Sequence, residues 1–314
     1  MVLATCSNDV FPTQVQSVIT AMRVIVLGAA GLIGHKLYRN LQERFDVFAT
    51  LHGKREAAGA ASLFESDRVI ESVEALEFEK LTGILHATGA DVILNCVGIT
   101  KRRPKINEPC HAIGVNALFP HRLAKWAGEH GKRVIHFSTD CVFDGAIGDY
   151  TEESPTTGPD AYGKTKALGE IRYDHTLTIR SSFIGRELSE FSELLEWFLS
   201  QEGKTIKGFK EAYYSGVSTT FMTNVVAEII ENHPDLNGLY QLSIDNPISK
   251  FDLLSVARDA FNANIEIVPD SEFVTRPTLC GKKLKEKIGL TVPSWKEMMS
   301  ELATDSFYES ELRK

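Results

Sequence analysis

Arg23-Val24-Ile25-Val26-Leu27-Gly28-Ala29-Ala30-Gly31-Leu32-Ile33-Gly34 is the stretch of sequence that decides the fold. Its first five residues form a continuous apolar, β-branched run, which predicts a buried parallel strand. We expect Gly28 to make the tight turn, Gly31 to let the backbone approach a pyrophosphate, and Gly34 to let the next helix pack closely. The N-terminus of that helix should face the phosphates, and its apolar side should carry Leu32, Ile33, Leu37 and Leu41. The spacing is G-x-x-G-x-x-G, and the strand–glycine–helix context favours dinucleotide binding over a generic turn.

Alternating strands and helices continue along the chain. Predicted strands cover 47–51, 91–95, 134–137 and 177–180, and predicted helices end near Ala87 or cover 112–130 and 223–232. This alternation predicts an α/β fold, a Rossmann-type doubly wound parallel sheet with helices on both faces. We expect three parts: an N-terminal extension (1–21), a dinucleotide-binding domain (22–185 plus 216–243), and a smaller, discontinuous α/β substrate lobe (186–215 plus 244–314).

Composition narrows the class of protein. The 314 residues are 43% hydrophobic and 24% charged, as in an ordinary globular protein. The net charge of −8 gives no basic footprint for nucleic acid, and no apolar run approaches the ~18 residues of a membrane span. The five cysteines are odd in number and lack metal-ligand spacing, so we expect a reducing compartment, the cytoplasm, and no metal site. Residues 1–21 lack the pattern of a signal peptide, so we expect a poorly ordered extension.

Tyr162 and Lys166 carry the most specific chemistry. Their i, i+4 spacing puts both side chains on one helical face. A free phenol has a pKa of about 10, and a neighbouring ammonium is expected to lower it. Tyr162 could then exchange a proton with an alcohol or ketone, while Lys166 tunes it and bonds a cofactor ribose. Tyr-x-x-x-Lys is common by chance, but about 130 residues after the glycine stretch it predicts hydride transfer with proton transfer.

A third element lies between these two motifs. The predicted strand 134–137 ends in Ser138-Thr139-Asp140-Cys141. Ligands of open α/β sheets bind at the carboxyl ends of strands, so a hydroxyl here can hydrogen-bond the substrate's reacting oxygen. We favour Thr139 over Ser138; the alternative is a simple polar turn.

The end of the second predicted strand indicates the cofactor. NAD sites place an acidic residue there for the ribose 2′-hydroxyl. This strand instead runs into His52, Gly53, Lys54 and Arg55. Lys54 and Arg55 could meet a 2′-phosphate, so NADP(H) is favoured and NAD(H) remains possible. A solvated basic turn is the alternative.

These motifs together resemble one family. The chain looks like an extended short-chain dehydrogenase/reductase, and within that group is similar to the dTDP-4-dehydrorhamnose reductase family. The resemblance runs from about Met22 to about residue 300, and its blocks are Gly28–Gly34, Asn95–Gly98, Glu108-Pro109, Val115–Ala117, Ser138–Gly145, Tyr162–Lys166, Gly169-Glu170, Ile179–Gly185, Gly238–Ser243, Ile248–Lys250 and Arg276-Pro277.

The resemblance implies roles for individual residues. Thr139, Tyr162 and Lys166 would form the catalytic triad. The cofactor would lie along the glycine stretch, the basic turn from His52 and the loop after the fourth strand, with candidates Asn95, Cys96, Val97, Gly98, Ile99 and Asn116. The substrate candidates are Thr100, Arg102, Arg103, Thr139, Asp140, Cys141 and Phe183.

Two departures from the family pattern concern the substrate. Cys141 stands where the family usually has Tyr, and the segment 100–105 is far more basic than usual. Arg102 and Arg103 could bind a nucleotide diphosphate, or the segment could be a solvated face; both interpretations stay open.

The resulting prediction is an NADP(H)-dependent reductase of a nucleotide-activated keto-deoxy sugar, reducing it at C4, in nucleotide-sugar, polysaccharide or glycoside biosynthesis. The expected partner is that substrate, with no nucleic acid or membrane, and a homodimer is possible. One alternative is a nucleotide-sugar epimerase or a dehydratase, although dehydratases usually have Glu where Cys141 stands. Another is a non-catalytic subunit resembling the regulatory β subunit of methionine adenosyltransferase.

Overall fold

The computed structural model describes residues 22–312, so the predicted extension 1–21 lies outside the described residues. The strands are β1 (Arg23–Leu27), β2 (Asp46–Thr50), β3 (Val69–Ile70), β4 (Val92–Asn95), β5 (Arg133–Ser138), β6 (Thr176–Arg180), β7 (Phe183–Ile184), β8 (Thr205–Phe209), β9 (Tyr213–Tyr214), β10 (Val217–Ser218), β11 (Gly238–Gln241), β12 (Ile248–Ser249) and β13 (Glu266–Asp270). The α-helices are α1 (Gly34–Leu41), α2 (Phe78–Thr88), α3 (Pro109–Ile113), α4 (Phe119–Glu129), α5 (Ala161–Leu168), α6 (Leu194–Leu199), α7 (Thr219–Asn232), α8 (Lys250–Phe261), α9 (Lys282–Ile288), α10 (Trp295–Ala303) and α11 (Ser306–Leu312).

Seven parallel strands form the central sheet, in the order β11-β6-β5-β4-β1-β2-β3. Alternate residues of β1 enter different hydrophobic cores. Val24 and Val26 lie in the cluster that includes α1 and α7, whereas Ile25 and Leu27 lie in the cluster that includes α2 and α4. Helices therefore cover both faces of the sheet, and the predicted doubly wound α/β fold is confirmed.

Most predicted elements are confirmed, with two differences at helices. Helix α1 begins at Gly34, so Leu32 and Ile33 lie in the turn before it rather than on its apolar side. The helix predicted over 112–130 is divided into α3 and α4 by a π-helical turn, Gly114–Leu118. Sequence periodicity cannot separate a π turn from the α-helices it joins.

Shorter strand pairs and further helices, among them α8 and α10, lie outside the seven-stranded sheet. Parallel pairs form between β8 and β13 and between β7 and β10, and an antiparallel pair forms between β9 and β12. Leu253 and Leu254 of α8 and Met298 and Met299 of α10 enter the same core as α1. Within residues 22–312, no helix is long and apolar enough to cross a bilayer.

Helix α11 docks against α1. Asp305, which precedes α11, accepts from Lys36 Nζ at 2.5 Å and from Arg39 at 2.8 Å. His35 donates through Nδ1 to the Gly31 carbonyl (2.8 Å), so its Nε2 accepts from the Tyr308 hydroxyl (2.6 Å). Burial lowers the pKa of His35 to about 4, which keeps the ring neutral. A side chain of α1 thus ties the glycine loop to the C-terminal helix.

Candidate active site

The structure brings the predicted triad to the carboxyl edge of the sheet. Thr139 follows β5, and Tyr162 and Lys166 lie on α5. The helix can approach the turn after β5 because residue 163 is glycine: an added Cβ would lie 2.2 Å from the Cys141 carbonyl oxygen. Thr139 donates to Asp140 Oδ1 at 3.1 Å and accepts from the Cys141 amide at 3.1 Å. Its hydroxyl also lies close enough to the Tyr162 phenol to influence the pKa of that group.

The electrostatics of Tyr162 differ from the expectation. Burial raises the pKa of the half-buried phenol well above its usual value, Cys141 and Asp140 add to the rise, and the nearby Thr139 hydroxyl opposes it. The predicted lowering by Lys166 is not found: Lys166 is not among the groups that act on the phenol, and its ammonium contacts the Phe137 carbonyl instead. Tyr162 is therefore a neutral phenol at neutral pH, suited to donating a proton.

Lys166 is directed toward the strand rather than toward solvent. Its Nζ donates to the Phe137 carbonyl at 2.6 Å and lies 3.4 Å from His136 Nε2. Burial lowers the pKa of Lys166 to about 8, against the opposing charges of Glu170 and Cys96. One hydrogen bond to a carbonyl leaves further ammonium donors for a ligand.

His136 is a residue that the sequence analysis missed. Asn95 Oδ1 accepts from the Val97 amide (3.2 Å), which turns its Nδ2 toward His136 Nδ1 at 3.0 Å. Each ring nitrogen of His136 thus has one neighbour, Asn95 for Nδ1 and Lys166 for Nε2, and the tautomer decides which nitrogen accepts. Burial holds the pKa of His136 well below its usual range. Its position as a polar residue inside the apolar run 134–137 was the available clue.

The glycine loop has the geometry of a phosphate cradle. Gly28 has a φ of +78°, which favours glycine. A Cβ on Gly34 would lie 2.3 Å from the Gly28 oxygen, so close packing requires this glycine. Gly31 is exposed, and a Cβ there would meet only the Gly28 oxygen, at 3.5 Å. The loop is thus tight beneath and open above, as a dinucleotide requires.

The loop after β4 forms the adjoining wall. A Cβ on Gly28 would lie 3.3 Å from Val97. Asn116 Oδ1 accepts a hydrogen bond from the Ile99 amide (2.8 Å). Its Nδ2 donates to the Ile99 carbonyl (2.9 Å) and to the hydroxyl of Thr165 in α5 (3.2 Å). Asn116 therefore positions the loop, from a π turn of the kind often found at functional sites. Gly98 is exposed, and burial raises the pKa of the Cys96 thiol.

The basic turn after β2 has an acidic partner that the sequence analysis missed. Lys54 Nζ lies 3.1 Å from Glu71, and Arg55 Nε pairs with the same carboxylate. Both contacts lower the pKa of Glu71 to about 2. Glu71 follows the two-residue strand β3, which was too short to be predicted. His52 lies 3.3 Å from Glu74.

The predicted substrate residues surround the same edge. Asp140 is buried, which raises the pKa of its carboxyl, and Lys101 Nζ lies 3.6 Å from Cys141 Sγ. Arg102 pairs with Glu193 at 3.2 Å, and Arg103 pairs with Glu190. The remaining two, Thr100 and Phe183, are half-buried, and Phe183 packs edge-on to Phe137.

Known proteins resemble this chain over most of its length. The RmlD substrate binding domain family matches residues 22–307. The dTDP-4-dehydrorhamnose reductase of Salmonella typhimurium is 26% identical over 310 residues, 91% of this chain and 98% of that protein. Methionine adenosyltransferase 2 subunit beta of Rattus norvegicus is 26% identical over 259 residues, 78% of this chain and 73% of that protein.

Solved structures share the fold. The dTDP-4-dehydrorhamnose reductase of Bacillus anthracis, solved in complex with NADP, superposes with a TM-score of 0.73 at 18% identity, covering 90% of this chain and 97% of that chain. The Bordetella bronchiseptica enzyme WbmG, solved with NAD, superposes with a TM-score of 0.75 at 15% identity, covering 94% and 96%.

Proposed function

Because the chain belongs to the RmlD substrate binding domain family, an extended short-chain dehydrogenase/reductase family, we propose that it is an NADP(H)-dependent reductase of a nucleotide-activated keto-deoxy sugar, acting at C4. The observation that carries the proposal is the neutral Tyr162 phenol, which lies close to Thr139 and packs with Val97 against one hydrophobic cluster beside the open glycine loop. A neutral phenol is the proton donor that ketone reduction needs.

The proposed mechanism uses the triad on the substrate oxygen. Bound NADPH would supply the hydride. Thr139 would hold the ketone oxygen, and Tyr162 would give its proton as that oxygen becomes an alcohol. Lys166, fixed by Phe137 and His136, would donate to the cofactor ribose.

The cofactor assignment rests on two supports. The Bacillus anthracis reductase was solved with NADP, and Lys54 and Arg55 provide cations at the end of β2 for a 2′-phosphate. Glu71 competes for both cations, so NADP(H) is favoured and NAD(H) remains possible. Gly28, Gly31 and the Val97–Ile99 wall would hold the rest of the dinucleotide.

A regulatory role is the second candidate, because methionine adenosyltransferase 2 subunit beta matches at the same identity. The triad geometry favours turnover. An epimerase, which would recycle its cofactor, also stays an alternative. With the proposed substrate and coenzyme, both cytoplasmic metabolites, we place the protein in the cytoplasm, and a homodimer stays a prediction.

A screen of nucleotide keto-sugars with NADPH, followed by absorbance of the reduced coenzyme, tests the proposal. Stoichiometric NADPH oxidation is expected for a reductase. Sugar isomerisation without net oxidation would indicate an epimerase, and NADPH binding without chemistry on any keto-sugar would indicate a regulator.

A further inference from the structure

Lys250 carries an ammonium group without an ion-pair partner among the described residues, close to the predicted substrate residues. It is the first residue of α8 and is half-buried, yet its ammonium makes no hydrogen bond or ion pair with any residue of 22–312. Burial lowers the pKa of Lys250, whereas the charges of Asp140 and Cys141 raise it and those of Lys101 and Arg102 lower it. The charged groups that act on Lys250 thus belong to the turn after β5 and to the basic segment after β4.

The neighbouring cations are already occupied. Arg102 and Arg103 pair with Glu193 and Glu190, and Lys101 rests against the Cys141 sulfur. Asp140, whose charge acts on Lys250, accepts a hydrogen bond from Thr139 and makes no ion pair with Lys250. Among the described residues, Lys250 therefore lacks an anionic partner, and of its neighbours only Lys101, which contacts the Cys141 thiol, shares this lack.

Tyr214 presents a second unpaired group to the same place. The residue is 8% exposed, and its hydroxyl approaches Ser182 without a well-aligned hydrogen bond to any described residue. The charges of Asp140, Glu193 and Cys141 act on this phenol, which places it near the same turn. A buried hydroxyl without a partner is costly, so such a group commonly awaits a ligand or water.

Backbone pairing places Lys250 and Tyr214 on neighbouring elements. Strand β12 pairs with β9, matching Ile248 to Tyr214, and the Lys250 amide donates to the Ala212 carbonyl at 2.8 Å. Gly216 makes room for the phenol: an added Cβ would lie 2.7 Å from Tyr214 Cζ and 2.0 Å from the Ser182 oxygen. The backbone therefore fixes both groups before any ligand arrives.

We propose that Lys250 and Tyr214 form an anion-binding subsite of the substrate cleft, in which Lys250 pairs with an anionic group of the sugar nucleotide and Tyr214 donates a hydrogen bond to it. The inference deepens the proposed function and rests on it. The group that Lys250 would bind presents anionic oxygens. Either the nucleoside diphosphate or a carboxylate on the sugar could supply them. A half-buried ammonium gains most from such a group, because its desolvation is otherwise uncompensated.

Calorimetric titration of the NADP-loaded protein tests the subsite with UDP, dTDP, GDP, UDP-glucose and UDP-glucuronate. Lys250→Gln should weaken binding tenfold to a hundredfold, Tyr214→Phe should weaken it severalfold, and Lys250→Arg should restore part of the loss. Lys282→Gln is the matched control, since Lys282 also opens a helix but is exposed and paired with Glu286. Far-UV circular dichroism and melting temperature confirm that each variant is folded.

The pattern of losses identifies the anion. An equal loss for UDP, UDP-glucose and UDP-glucuronate assigns the diphosphate, whereas a loss confined to UDP-glucuronate assigns a sugar carboxylate. Unchanged affinities in Lys250→Gln, or no binding of any probe to the wild-type protein, would overturn the subsite. If Arg102→Ala or Arg103→Ala alone weakens UDP, the diphosphate belongs to the basic segment instead.

Failure of the subsite and failure of the proposed function are distinguishable. Keto-sugar reduction with an unchanged KM in Lys250→Gln removes the subsite and keeps the reductase. Probe binding that depends on Lys250, without reduction of any keto-sugar, supports the subsite and counts against the reductase.

Discussion

At the scale of single residues, burial decides the chemistry more than charge does. Tyr162 and Lys166 were expected to act on each other directly. Instead, desolvation raises the pKa of the phenol and lowers that of the ammonium. Both shifts favour the neutral form of each group, because a charge is costly in a desolvated site.

Removing the phenol oxygen should stop turnover. Tyr162→Phe is expected to lower kcat by about 10²–10⁴-fold, because the ring still packs but no proton can be delivered. NADPH affinity, measured by fluorescence titration, should be nearly unchanged. Tyr173→Phe is the control, because Tyr173 is exposed and bonds His121 away from the triad. Near-wild-type turnover in Tyr162→Phe would remove this residue from the mechanism.

Burial of Lys166 should lower the free energy of unfolding by an amount that depends on pH. Its folded-state pKa is about 8 against 10.5 for an ordinary lysine. Below pH 8 both states hold the proton and the folded state bears the full cost of burial; between pH 8 and 10.5 the folded state releases the proton and the cost falls. Lys166→Met should therefore gain stability over wild type at pH 7, and this gain should shrink by about 2 kcal/mol at pH 9.5.

Urea unfolding at both pH values measures this difference. Lys164→Met is the control, because Lys164 is exposed on the same helix. A stability difference between Lys166→Met and wild type that is equal at pH 7 and pH 9.5 would show that Lys166 is not desolvated.

At the scale of elements, short segments supply partners to residues on longer ones. Strand β3 has two residues, yet it delivers Glu71 to the basic turn after β2. The segment before α6 delivers Glu190 and Glu193 to the basic segment after β4. In both places acidic side chains form ion pairs with the basic side chains that a phosphate group would need.

Coenzyme preference should therefore respond to both signs of charge. Lys54→Ala/Arg55→Ala should lower NADPH affinity about tenfold and leave NADH affinity unchanged, because only NADPH carries the 2′-phosphate. Glu71→Gln should do the reverse and raise NADPH affinity severalfold, because both cations are released. Dissociation constants for the two coenzymes measure this; equal effects on NADPH and NADH would refute the assignment.

The docking of α11 should depend on one carboxylate. Asp305→Ala leaves Lys36, whose side chain is 2% exposed, without its ion-pair partner. Breaking a buried pair in this way should cost about 3 kcal/mol of unfolding free energy, and Lys36→Met/Asp305→Leu should recover much of it. Urea unfolding measures both. Glu153→Ala, which breaks an exposed pair with Lys283, should change stability by less than about 1 kcal/mol.

At the scale of the whole molecule, local patterns predicted the sheet and distant pairings completed the site. The apolar runs and the glycine spacing were sufficient for β1, β4, β5 and β6, since burial on both faces imposes such runs. The contacts that link Asn95 to His136 and His136 to Lys166 join β4, β5 and α5. No residue spacing within one of these elements could predict them. Tyr214 and Lys250 are likewise brought near each other by the pairing of β9 with β12, which no local pattern encodes.

The bridge made by His35 has a consequence for synthesis of the protein. It joins the Gly31 carbonyl to the Tyr308 hydroxyl, and Tyr308 is added 273 residues after His35. The ribosome makes the N-terminal strands first, and they can begin to fold early. The glycine loop, however, lacks the support of the His35–Tyr308 hydrogen bond until translation has passed residue 308. Nascent chains should therefore capture coenzyme late, after the sheet is formed, and an interrupted product would carry a complete glycine motif with a poorly held loop.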